Sequence, residues 1–422
     1  MSSPRSSFPI PRIPHSIAVL ALLVTASVAH AQEKVLASFS GTNNGSQPHC
    51  ILVMDAHGNL YGTTPTGGDE NGGLVFALGP DGHGGWNEKT IYSFDTLANG
   101  LNPNGGLVLD SVGNLYGTTT GGGANTLGTA FELSPTTGGG WTETVIHSFG
   151  ATGDGIFPYA QMILDAAGNL YGTTAYGGAF GTGEEGGGTV FEISPQTGGG
   201  WSEQVVHSFA SGHDGVQVAG GVALDAAGNL YGATFVGGTH GEGIIYELSP
   251  QTGGDWMETI LHNFTSGTSD GRLPMAGVTL DAAGNVYGTT SAGGPYERGI
   301  AFKLAPLGGG VWSFSGLHAF GNGLDGANPE GEVVFDAAGN LYGTTYDGGK
   351  YGQSFGGTGT FYELSPAVGG AWTEPRLYSF GGTNRDATFP QAGLIIDSRG
   401  IIYGTSTGGG QTGNGAVFEV KP

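Results

Sequence analysis

The sequence predicts an all-β protein: a seven-bladed β-propeller of four-stranded antiparallel blades, closed by the N-terminal strand completing the last blade. Three observations carry this. The stretch Asp55 to Thr64 (DAHGNLYGTT) recurs with its leading aspartate at 55, 110, 165, 225, 281, 336 and 397. Each copy divides into four strand-like pieces. The seventh copy lacks its fourth piece, and the start of the chain supplies one.

The spacings between those aspartates are 55, 55, 60, 56, 55 and 61 residues. A fixed period of this size marks a repeat architecture, and four short strands per repeat mark a propeller blade. The copy around Asp165 shows the pieces. Gln161 to Leu164 is a short apolar run. Asp165 to Gly168 is a turn, because aspartate can cap the backbone and glycine can take positive φ. Asn169 to Thr174 (NLYGTT) alternates, and a glycine-rich loop follows to Gly188. Thr189 to Ser194 (TVFEIS) has period 2, and Pro195 to Gly200 turns the chain. Trp201 to Phe209 (WSEQVVHSF) is rich in aromatic and β-branched residues. No helical period appears. The blades are expected at about 48–94, 103–149, 158–209, 218–264, 274–320, 329–380 and 390–420 plus 33–39.

The ends fit one another. The last copy stops at Phe418 to Pro422, after its third piece. Gln32 to Phe39 (QEKVLASF) aligns with Thr142 to Phe149 (TETVIHSF), so it would be the missing strand and would leave no open sheet edge. The recurring Trp86, Trp141, Trp201, Trp256, Trp312 and Trp372, with Phe39 and its equivalents, are expected to pack between blades.

Residues 1–31 are set apart as a signal peptide. Arg5 and Arg12 precede the apolar run Ile17 to Val28, and Ala29-His30-Ala31 offers small residues for cleavage before Gln32. The run is too short for a comfortable membrane span, so the expectation is export without a membrane span, to the periplasm, exterior or cell surface. The remaining chain carries 10 Lys and Arg against 35 Asp and Glu, a formal charge near −25. Such a field disfavours nucleic acid and anionic lipid. One cysteine, Cys50, excludes an intrachain disulfide. A monomer is expected.

The motifs LDAAGNLYGTTxxGG, GTVFELSP and VIHSFxxxxDG resemble the tandem repeat of the GloVer (Gloeo/Verruco) proteins. The match spans about residues 33–422 and is specific because three motifs recur in order. The Asp-x-x-Gly-Asn-Leu-Tyr turn is also similar, more loosely, to that of NHL-type propellers. The resemblance implies export and a propeller-like repeat, and it implies no catalytic residues.

Repetition separates scaffold from site: a residue needed in every blade is structural, and a site should break the pattern. His147, His207, His262 and His318 share one register, with Tyr92 and Tyr378 in the same place. They fall on different blades and cannot converge on one ion at ligand distance. The aspartate turns have alanines where a calcium loop needs oxygen ligands. The glycine runs precede no helix, so no phosphate cradle is expected. No nucleophile elbow, HExxH or cysteine metal pattern occurs. No catalytic residue, cofactor or metal ligand is assigned.

The pattern breaks in two places. A proline (Val218 in blade four) precedes each first strand, and the residue after it differs in every blade: His49, Asn104, Tyr159, Ala219, Met275, Glu330 and Gln391. These should face the mouth of the central channel, and Cys50 next to them should be a small buried side chain. The loops from second to third strand are longest in blades three and six. They bring Tyr176, Phe180, Glu184, Glu185, Tyr346, Asp347, Lys350, Tyr351 and Phe355 to the same face. Exposed aromatics among polar groups suit glycan or peptide recognition. The expected ligand residues are His49, Asn104, Tyr159, Glu330, Gln391, Tyr176 and Tyr346. The expected function is a non-catalytic surface or periplasmic module binding a glycan or protein. A glycan-cleaving hydrolase or lyase using Glu330, Glu332 and His49, and a purely structural surface protein, are the alternatives, because a propeller hosts all three.

Overall fold

A computed structural model describes residues 31–41, 43–181, 186–210, 213–351 and 357–422. The expected signal peptide through His30, and Glu184, Glu185 and Phe355, lie outside the described residues. Within them the regular elements are strands, and no helix is long and apolar enough to cross a membrane.

Seven four-stranded antiparallel sheets follow one another as blades of a propeller. Blade three is built from Ile163–Leu164, Leu170–Thr174, Thr189–Pro195 and Trp201–Ser208, hydrogen-bonded in that order. The first strand pairs over only two residues, shorter than the apolar run Gln161 to Leu164 suggests. Of its inner half, Gln161 lines the channel and Met162 packs in the core.

Each turn between first and second strands is held by its aspartate. Asp55 Oδ1 accepts the amides of His57 and Asn59, both at 2.9 Å. Oδ2 accepts Asn59 Nδ2 at 2.8 Å and the Tyr61 hydroxyl at 3.1 Å. Burial opposes the charge, but these bonds outweigh it and hold the carboxyl below its usual range. Blade seven replaces the asparagine with Ile401. There the Arg399 guanidinium takes over Oδ2 of Asp397, at 2.8 and 2.9 Å. The glycine after the tyrosine is a packing requirement: a Cβ on Gly62 would lie 2.5 Å from the Phe76 ring.

Neighbouring blades meet through the same repeat. The tyrosine of one blade packs edge-on against the tryptophan of the next, as in Tyr61–Trp141 at 6.3 Å, Tyr116–Trp201 at 5.7 Å and Tyr287–Trp372 at 6.3 Å. In most blades the second-strand threonine reaches across to a carbonyl just before the next blade's first strand: Thr63 Oγ1 to Gly105 O and Thr173 Oγ1 to Gly220 O, both 2.9 Å. Phe39, Phe94, Phe149 and their equivalents are fully buried.

The ring closes as the split repeat predicts. Gln32–Ser38 pairs antiparallel with Ala416–Lys421, with Glu33 opposite Val420 and Ser38 opposite Ala416. Across the seam, Thr405 Oγ1 donates to Cys50 O at 2.9 Å, and Tyr403 packs on Trp86 at 6.1 Å. Ala31 occupies the place of a repeat tryptophan and lies buried in the cluster that holds Tyr342. Deleting residues 33–39 should therefore expose an edge and cost the domain at least about 3 kcal/mol. Thermal melts of the full and trimmed chains check this. Equal midpoints would mean that the strand does not close the ring.

Candidate functional site

One cavity is shared by all seven blades. It sits at the channel mouth, with a volume of about 550 Å³. The loops around it are joined in pairs. The segment entering blade three, Gly155–Ile156, pairs with Tyr176–Gly177 of that blade's long loop, and blades four to seven repeat this. Isolated bridges Ser46 to Thr66 and Leu101 to Gly121 do the same in blades one and two. The two loop sets therefore share one face, as the strand order requires.

The backbone at the rim is fixed in an unusual conformation. Gln47, Asn102, Phe157, Gln217, Leu273, Asn328 and Phe389, one per blade, have φ of 55 to 61°. This left-handed region costs an L residue roughly 1 kcal/mol or more. The position is held from both sides: Phe157 N donates to Leu127 O at 3.0 Å, and Phe157 O accepts Ala175 N at 3.2 Å. This bend points the following residues, His49 and its equivalents, at the axis.

His49, Asn104, Tyr159, Glu330 and Gln391 all line the cavity, together with Tyr176. Tyr346 does not; its ring packs on Phe389 at 5.3 Å. Cys50 is buried, its sulfur accepting Thr63 N at 3.2 Å. Several lining side chains are braced. Asn104 Nδ2 donates to Thr120 Oγ1 at 3.0 Å. Gln217 Nε2 donates to the Tyr176 hydroxyl at 2.6 Å, and Gln391 Nε2 to Glu330 Oε2 at 3.1 Å. Burial pushes His49 down, favouring the neutral ring, and pushes the Glu330 carboxyl up.

A second ring of side chains lies deeper, two residues along each first strand: Ile51, Gly106, Gln161, Gly221, Gly277, Glu332 and Gly393. The period-2 rule places them on the same face as the first ring. Of these the sequence marks only Glu332 as a site candidate; four are glycines and look like scaffold, and Gln161 reads as part of a strand. The glycines make room instead. A Cβ on Gly277 would collide with the Glu332 carboxyl, and one on Gly221 would lie 3.5 Å from it. Burial pushes Glu332 to about 7, against the Gly277 amide that donates to it. Glu330 and Glu332 are the charged groups of the lining; Phe235 and Met275 add apolar surface. Hollows of about 740 and 840 Å³ also lie near the aspartate turns. Each is made by only two neighbouring blades, so neither has the mouth's convergence.

Polar side chains also collect at the junctions between blades. The four register histidines do not meet, as their blades require, but each faces an aspartate of its own loop. His147 Nε2 lies 3.0 Å from Asp154, His262 3.2 Å from Asp270 and His318 2.9 Å from Asp325. In three junctions a glutamate of the following blade joins them, giving His147/Asp154/Glu203, His207/Asp214/Glu258 and His318/Asp325/Glu374. The sequence signal was the glutamate two residues after every tryptophan but Trp312; its partner lies a whole blade earlier, so spacing alone could not pair them.

Elsewhere the junction takes other chemistry. Tyr92 accepts Asn99 Nδ2 at 2.8 Å near Glu143, and Asn44 Nδ2 donates to Glu88 at 3.0 Å. At the closing junction Tyr378 donates to Glu33 at 3.0 Å and to Asp386 at 3.2 Å, and Ala387 N donates to Glu33 at 3.0 Å. Burial first, and the Asp386 charge second, push Glu33 to about 7. A carboxyl with a folded pKa above its unfolded value stabilises the fold below about pH 4.3 and loses that contribution as pH rises through 7. Glu33→Gln should therefore melt close to the parent at pH 5 and higher at pH 8. Melts at both values test this, and curves for the two proteins that stay parallel would refute it.

The motifs that build these blades are those of a known repeat. The Gloeobacter/Verrucomicrobia repeat matches residues 22–184, 88–302 and 277–422. The chain belongs to that repeat family. Among curated proteins none matches it. The family assignment thus accounts for the scaffold, while the mouth residues are among the parts of the chain that depart from the repeat.

Proposed function

We propose that this repeat protein is an exported, non-catalytic binding module whose glycan or protein ligand sits in the channel mouth. The observation that carries this is the convergence of seven different first-strand side chains on one cavity, within a chain that otherwise repeats itself. The cavity size suits a few sugar rings or side chains. Tyr159, 44% exposed, and Tyr176 offer aromatic faces for stacking. Glu330, Gln391 and Asn104 offer acceptors and donors for hydroxyl or amide groups. Export is supported by the leader-like first 31 residues and by the likeness to exported repeat proteins.

A hydrolase or lyase is the second reading. It is favoured by Glu330 and Glu332 lining one cavity, with Glu332 raised to about 7 and so able to hold a proton near neutrality. A glycan array followed by product analysis separates the two readings. Retention without cleavage supports the module, and cleavage lost in Glu332→Gln supports the enzyme.

Replacing Tyr159 and Glu330 together with alanine should abolish ligand retention while the melt stays within about 1–2 kcal/mol of the parent, since neither side chain is core. Retention that survives both changes but is lost on altering the turns near Gly58 or Gly113 would place the site on the opposite face.

A further inference from the structure

We propose that three blade junctions each bind one divalent transition-metal ion of zinc-like preference, through His147/Asp154/Glu203, His207/Asp214/Glu258 and His318/Asp325/Glu374. In each set one imidazole nitrogen and two carboxylate oxygens all lie within 4.8 Å of one another. One imidazole and two carboxylates form a donor set that suits zinc, with positions left for water.

The His207 junction shows the arrangement best. Its Nε2 is buried and makes no hydrogen bond. It lies 3.7 Å from Asp214 Oδ2 and 3.9 Å from Glu258 Oε2. Three ligands at about 2.0–2.2 Å from one ion lie roughly 3.3–3.6 Å apart. These separations exceed that by a few tenths of an ångström and are too long for a direct hydrogen bond. A nitrogen lone pair or N–H buried without a partner is costly, and an ion between the three groups removes that cost. Glu258 Oε1, Glu203 Oε1 and Glu374 Oε1 are likewise buried without partners. The aspartates are aimed before any ion arrives: Asp214 accepts Ala210 N at 2.9 Å and Gly215 N at 2.8 Å, and Asp154 accepts Gly150 N at 3.0 Å. Backbone bonds of this kind orient a ligating carboxylate and leave it further lone pairs.

The molecule contains its own comparison. At the fourth histidine junction Phe314 stands where the glutamate would be, and its ring stacks on His262 at 4.2 Å and 8°. That junction has the histidine and the aspartate but a ring contact in place of the third ligand. Each proposed ion would bridge two blades, since His and Asp come from one and Glu from the next. In a chain with one cysteine, such bridges supply the cross-links that disulfides cannot.

Calorimetric titration of the chelator-treated full chain with zinc chloride tests this, with melts in chelator confirming that every variant folds. The parent should take up three equivalents, and Glu258→Gln should take up two. Glu203→Gln, Glu258→Gln and Glu374→Gln combined should take up none. His262→Gln should leave three, and Phe314→Glu should raise the count to four. Cobalt(II) in place of zinc should give visible absorption of a low-coordinate site that disappears in the triple variant. No uptake by the folded parent, or uptake that persists in the triple variant, overturns the proposal.

Discussion

The pairing of Gln32–Ser38 with Ala416–Lys421 is the constraint on which the rest depends. Without it blade seven would be a three-stranded sheet with a bare edge, and the contacts that pass from blade to blade would have a beginning and an end. With it, every Tyr–Trp contact and every threonine bond to the next blade belongs to one closed circuit. A cavity bounded by seven first strands exists only because that circuit closes. The site at the mouth is thus a property of the ring and of no single repeat.

Closure also explains how the chain divides labour along each strand. The turn aspartate, the glycine after the tyrosine and the buried phenylalanine serve local geometry or blade packing, so each copy needs them. The residues of the first mouth ring serve the cavity and not the blade packing, and they differ from blade to blade. The left-handed residue before each rim proline, or before Val218 in blade four, links the two regimes. It is a strained element repeated seven times, held through its amide in every blade and through its carbonyl as well in all but blade one, where Pro65 has no amide to donate, and it aims a variable side chain inward. Strain at a rim is therefore part of the scaffold here, and the chemistry of the site resides in the residue that follows.

Charge follows the same division. The turn aspartates are satisfied by donors within six residues, and those bonds hold Asp55, Asp225, Asp281, Asp336 and Asp397 below the usual carboxylate range. The junction and channel carboxylates are buried beside other acids or with few donors. Glu33 and Glu332 are accordingly pushed to about 7. An acidic chain with few lysines and arginines must settle these groups by proton uptake, by histidine or by a bound cation. The junctions differ in which of these they can use, because tyrosine, asparagine or phenylalanine replaces histidine, aspartate or glutamate from one to the next.

Periodicity alone determined the number of blades, the four strands of each, the split last blade and the face on which the loops gather. These follow from short-range rules: a turn chemistry recurring at fixed spacing, period-2 alternation and the need to bury both faces of a sheet. The first mouth ring was legible for the same reason, as a register where an otherwise repeated pattern varies. Most of the deeper ring was not legible, because Gly221 and Gly277 matter as space for a glutamate one or two blades away. Tyr346, chosen from the sequence as an exposed aromatic, packs on Phe389 of the next blade. The pairing of His207 with Glu258 across 51 residues was equally out of reach. Which side chains meet between blades depends on how the ring brings distant repeats side by side, and only the tertiary structure decides that.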